Sequence, residues 1–175
     1  MSFSTMKKIQ SVTVGSGGAA NIEFTSIPGT FDDLVLKVSI RDTEASISNA
    51  FIFQFNGETA TTNYSARWLY GTGAAAASLT RSGASGQFWG ESNSANSTAS
   101  TFANVEFYIP NYRGSTNKSV SIDAVTENNA TTAYQFLIAA LWSNTAAITS
   151  ILIKPNSGLN WVQHSTATLY GIKKS

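Results

Sequence analysis

Cysteine is absent from the sequence and histidine occurs once, as His164. The first absence excludes disulfides, thiol catalysis and cysteine-ligated zinc. The second leaves one imidazole, in Trp161-Val162-Gln163-His164-Ser165, with no Gly-x-Ser-x-Gly nucleophile motif to serve. Charge is also scarce: 12% of the 175 residues are charged, against about 25% in an ordinary globular chain. Eleven basic and ten acidic residues nearly cancel, to a net charge of +1. No field of one sign exists to draw nucleic acid or an anionic membrane surface. The longest apolar stretch, Phe136 to Trp142, falls far short of the roughly 20 residues a membrane-spanning helix needs. Lys7 and Lys8 are followed by no apolar run of the kind a secretory leader carries, so a soluble product is expected.

What fills the chain instead is Ser, Thr, Asn and Gly interleaved with Phe, Ile, Val, Leu and Tyr, with a period of two. Ile9 to Val14 reads as a strand stopped by Gly15-Ser16-Gly17-Gly18, and Asn21 to Ile27 as a second, ended by Pro28-Gly29. Leu34 to Arg41 points Leu34, Leu36, Val38 and Ile40 inward. Phe51, Phe53 and Phe55 repeat the pattern up to Asn56-Gly57, a hairpin signal. Ser65 to Tyr70, Val105 to Ile109, Ser119 to Thr126, Ile148 to Lys154 and Ala167 to Ile172 continue the series. Tyr134 to Trp142 is an apolar run with two alanines that could be a helix, but flanking β-branched and aromatic residues favour a buried central strand. Nine or ten strands with turn signals between them predict a single antiparallel β-sandwich domain of the jelly-roll kind. One stretch breaks the rhythm. Residues 71–101 are rich in Gly, Ser, Ala and Asn and are expected to form a long loop, interrupted only by Phe88-Trp89.

Little in this inventory performs chemistry. The ten carboxylates are scattered; Glu106 and Asp123, on adjacent expected strands, could face one another as an acid/base pair would, but so could any such pair. Pairing with Lys37, Arg67 or Lys118 on a wet face is the simpler fate for such side chains. Asp32-Asp33 supplies too few oxygens for calcium. The glycine clusters open no helix and lead into no Gly-Lys-Ser/Thr, so no phosphate loop is present. No cofactor, no metal and no enzymatic activity are expected.

Three segments resemble a known group. Ile22 to Pro28 leading into Asp33-Leu34-Val35-Leu36, then Tyr108-Ile109-Pro110-Asn111-Tyr112, and Ala167-Thr168-Leu169-Tyr170-Gly171-Ile172 are similar to short all-β virion proteins of tailed bacteriophages. The likeness covers most of the chain and thins across residues 71–101. It implies a structural protein made in the host cytoplasm and carried on the virion, with no catalytic residue to inherit. One expectation is a capsid decoration, or cement, protein that binds the outside of the assembled shell, contacts the major capsid protein and forms a trimer. The alternative is the receptor-binding head of a tail fibre or spike, recognising a host glycan. Candidate contact residues follow. Phe88 and Trp89, two large rings among small polar residues, suit an anchor in a partner's pocket. Trp161 and Tyr112 in turns, beside Gln163 and Asn111, suit stacking on a sugar. Lys7 and Lys8, with Lys173 and Lys174, make both ends basic and suited to an acidic capsid surface.

Overall fold

The apolar-polar alternation is realised as two antiparallel sheets in a computed structural model that describes residues 5–127, 129, 132–156 and 158–174. Among the described residues the strands are β1 (Thr5–Thr13), β2 (Ile22–Phe24), β3 (Asp33–Ile40), β4 (Ser48–Phe55), β5 (Tyr64–Gly71) and β6 (Ala76–Arg81). They continue as β7 (Phe88–Asn93), β8 (Ala103–Ile109), β9 (Lys118–Glu127), β10 (Ala133–Trp142), β11 (Ile151–Lys154) and β12 (Thr166–Lys173). The larger sheet has the order β1-β12-β3-β8-β9-β10-β5-β6, and the smaller β2-β11-β4-β7. Through β1 to β4 the chain alternates between the two layers, so each connection stitches one sheet to the other.

The core lies between the layers, and rings dominate it. Phe51, Phe53 and Phe55 of β4 all point inward and are fully buried, the every-second-residue geometry of a strand. Phe53 packs against Phe107 of the larger sheet at 4.8 Å, against Phe55 at 4.9 Å and, stacked, against Trp89 at 5.3 Å. Phe55 reaches Trp142 at 5.1 Å, and Tyr64 closes on Trp89 at 5.4 Å. Lys118 is buried among these elements, unlike the wet-face lysine expected. Its Nζ donates to the carbonyls of Gly114, Thr116 and Thr145, closing the turn between β8 and β9. Burial lowers its pKa.

Expectations about two segments of the chain are also corrected. Residues 71–101 are not one long loop: β6 and β7 lie within them, joined by a short 3-10 turn at Gly83–Ser85. β6 is an edge strand paired only with β5 and wet along much of both sides, so its side chains have no reason to alternate. β7 carries Gly90 because its backbone passes over the Phe51 ring, where a Cβ would sit 2.3 Å from Phe51 Cζ. The last part of the stretch, residues 94–101, is held in place. The Arg41 guanidinium donates to the carbonyls of Ala95, Ser97, Thr98 and Thr101 and to Ser97 Oγ. The Glu127 carboxylate accepts from Thr98 N and from the Thr98 and Thr101 hydroxyls.

The second correction concerns Asn56-Gly57. Both residues adopt positive φ, 51° and 67°, and Glu58 N donates to Phe55 O at 2.8 Å, as the turn chemistry requires. The flanking strands do not pair with each other, because β4 belongs to the smaller sheet and β5 to the larger. The turn is a corner between layers.

Trp89, expected as an exposed anchor, is the centre of the aromatic core. Trp89→Ala should cost about 3–5 kcal/mol of folding stability. Guanidinium unfolding measures it, and a loss under about 1 kcal/mol would contradict the packing described.

Candidate functional site

One face of the larger sheet packs on the core, and the other forms a broad outer surface. Strand register sets its rows. Along one, Ser11, Thr168, Lys37, Glu106, Asp123, Leu137, Leu69 and Ser78 stand side by side from β1 to β6. Glu106 and Asp123 are direct cross-strand partners, as expected. Their like charges are offset locally: Lys37 Nζ lies 2.7 Å from Glu106, and Gln135 Nε2 donates to Asp123 at 3.4 Å. The Glu106 contact and its charge raise the Lys37 pKa. Both carboxylates stand on an open pleated face with no wall to exclude water, which is poor geometry for glycoside hydrolysis. Among the described residues no cluster of three or more His, Asp or Glu is placed to hold a metal.

Towards β6 the outer surface changes character. Leu137 of β10 and Leu69 of β5 face one another across the strands and are 48% and 54% exposed. Ala139 and Leu141 extend the apolar line along β10 on the same side, with Leu141 37% exposed. A shallow depression of about 490 Å³ runs between Arg67, Leu69, Ser121, Leu137 and Ala139. Tyr134 to Trp142 is therefore a strand, as expected, but one with a core face and an uncovered apolar face. Two exposed leucines in register, about 5 Å apart at Cβ, form a contiguous patch rather than the scattered apolar residues any surface carries.

The other expected contact residues are distributed differently. Trp161 and Tyr112 cannot stack on a sugar, because both are buried. Trp161 packs edge-on against Phe51 at 5.6 Å and donates Nε1–H to Ile153 O at 3.3 Å. Tyr112 donates its hydroxyl to Pro28 O and accepts from Phe31 N. Phe88 is half-buried with the Arg81 guanidinium 5.6 Å from its ring, and so is no free anchor. Asn111, Gln163 and His164 remain exposed. His164 has φ 73° and donates its backbone N–H to Val14 O, so it is a turn residue. Lys7 and Lys8 are exposed on β1, and β1 pairs with β12, which brings the basic ends together as one corner.

Asp33 to Leu36, Tyr108 to Tyr112 and Ala167 to Ile172 meet in space around Asp33, at that same corner. Asp33 is 1% exposed and accepts from Tyr108 Oη at 2.6 Å and Asn111 N at 2.9 Å, and Lys174 Nζ lies 2.7 Å away. Asp32 pairs with Arg113 at 2.8 Å and accepts from Lys174 N. The Phe31 ring covers Gly171, where a Cβ would come within 2.3 Å of it. Burial by itself would raise the Asp33 pKa, but the bonds from Lys174, Tyr108 and Asn111 outweigh it and hold the carboxyl below its ordinary value. Lys173 and Lys174 are thus engaged within the chain, at Thr30 O and Asp33. Compared with family models, curated proteins and solved structures, the chain finds no match.

Because the folded pKa of Asp33 is depressed, its stabilisation is complete above the unfolded carboxyl value and fades as pH falls through the lower folded value. Asp33→Ala should cost about 2 kcal/mol at neutral pH. It should also flatten the acid limb of stability below about pH 4, followed by urea unfolding at several pH values.

Proposed function

We propose that this chain is a structural protein of a tailed-phage particle, a decoration protein seated on the outside of the shell. The observation that carries this reading is the apolar patch of Leu69, Leu137 and Leu141 in the open face of the larger sheet. Its occupant is the major capsid protein. Burying that patch removes apolar area from water at about 25 cal/mol per Å², and the surrounding Ser and Thr side chains are desolvated more cheaply than charges. Lys8 shares a register row with Tyr170 on the same face, at its far end, and adds a salt-sensitive attraction to an acidic shell. Binding only the assembled shell stabilises it by mass action. Three copies around a local three-fold axis would give each patch an equivalent neighbour.

The layer-swapping order supports a jelly-roll reading of the sandwich. The quartets β1-β12-β3-β8 and β2-β11-β4-β7 interleave as two nested Greek keys, with β5-β6 and β9-β10 as inserted hairpins that widen one layer. Those insertions supply the Leu69–Leu137 pair, so the patch belongs to the additions rather than the shared frame.

Copy number distinguishes this from a tail-borne receptor-binding head. Quantitative mass spectrometry of purified virions should find the chain at a level comparable to the major capsid protein, and a few copies per particle would place it on the tail. Leu137→Glu, at an exposed position, should leave stability within about 0.5 kcal/mol. It should weaken binding to particles lacking the chain by more than about tenfold, or 1.4 kcal/mol, in a sedimentation assay. Unchanged binding by a folded Leu137→Glu protein would reject the patch as the docking surface.

A further inference from the structure

The larger sheet is wider than the smaller. β7, the last strand of the smaller layer, lies over β8, β9 and β10, and the far half of β5 with β6 is left without a covering strand on its inner side. A recess of about 260 Å³ opens there. Buried Trp68 and Phe136 form its floor, and half-buried Tyr70 and Tyr134 its rim. The Tyr70 and Phe136 rings are 5.8 Å apart and 22° from parallel, and Trp68 stands edge-on to Phe136 at 83°.

Two charged groups converge on these rings without forming an ion pair. The Arg81 guanidinium lies 5.3 Å from the Trp68 ring and 5.6 Å from Phe88, held by cation–π attraction. Glu91 accepts from Ser48 Oγ at 2.6 Å through one carboxylate oxygen. Arg81 Nε and Trp68 Nε1 are buried polar atoms with no partner among the described residues. Such atoms are rare in folded proteins and call for a physical explanation. Two of them line one recess.

We infer that this recess binds a saccharide, taking one pyranose ring whose apolar face lies against the aromatic rim and whose hydroxyls reach Arg81 and Glu91. The volume lies just below the range of ordinary ligand pockets and suits a single ring rather than a chain of them. A purely apolar guest would bury Arg81 and Glu91 with nothing to bond. A phosphorylated guest would meet a carboxylate as well as the one guanidinium. A sugar ring offers an apolar face and a rim of groups that both donate and accept. Burial pushes the Glu91 carboxyl up to about 7, so near neutrality it too can donate as well as accept.

The recess and the leucine patch lie on opposite sides of the same strands, since Trp68 and Tyr70 alternate with Leu69, and Phe136 with Leu137. A module seated through the patch would keep the recess facing away from the shell. The recess is measurable on the isolated chain, independently of any docking.

Saturation-transfer NMR of the full chain against methyl glycosides of glucose, galactose, mannose, N-acetylglucosamine and galacturonic acid tests this. At least one should give signal, and titration should show millimolar to sub-millimolar binding. Tyr134→Ala, at the half-exposed rim, should weaken that binding by about tenfold or more, and Arg81→Gln should do so without loss of fold, checked by thermal unfolding of each variant. Signal from none of the five glycosides would overturn the inference. So would binding that both folded variants retain unchanged, or an oligosaccharide binding a hundredfold tighter than its own methyl glycoside. A capsid-derived peptide that displaces the bound glycoside and protects Tyr134 more strongly would also overturn it, by making the recess a socket for protein.

Discussion

The contact on which the rest of this structure depends is the ring cluster between the two layers. β4 contributes Phe51, Phe53 and Phe55 from the smaller sheet, and Phe107 and Trp142 answer from the larger, with Trp89 wedged against Phe53, Phe55 and Tyr64. Aromatic side chains bury 150–250 Å² each, by rough measure, and pair with preferred geometry. A modest number of them can therefore hold two sheets in one register. That is how a chain with so little charge and no covalent staple fixes a single arrangement.

Buried and half-buried charges are used sparingly, and they tie loops. Asp33 gathers the β2–β3 connection, the β8–β9 turn and the C-terminal residues. Arg41 and Glu127 fasten residues 94–101, and Lys118 fills a nest of carbonyls. Each stands where backbone groups would otherwise lack partners, the need that burial imposes on irregular segments.

Strands at the wide end of the larger sheet have two dissimilar faces. β5 and β10 present leucines on one side and aromatic rings on the other, because alternate side chains of a strand point to opposite faces. A chain apolar at every position from Phe136 to Leu141 can then serve two purposes at once: a contribution to the core and recess on one side, and an uncovered patch on the other.

Much of the frame was legible in the order of residues alone. Leu34, Leu36, Val38 and Ile40 point inward as their spacing predicts, as do Val120, Ile122 and Ala124, since a half-buried strand leaves a period of two. The turn at Asn56-Gly57 was legible too, because positive φ is a local demand. Less visible was anything that depends on what a segment lies beside. β6 has one neighbour and little burial, so its sequence carries no alternation. Trp89, surrounded by small residues, reads as exposed, yet Phe53 and Tyr64 from distant positions enclose it. Both faces of β10 read as buried, and only the absence of a covering layer made one of them a surface. Alternation and turn chemistry are properties of neighbours along the chain, and they determined the all-β sandwich. Burial of a given ring, the tie at Asp33 and the recess at Trp68 are properties of neighbours in space, which the packing of the two sheets decided.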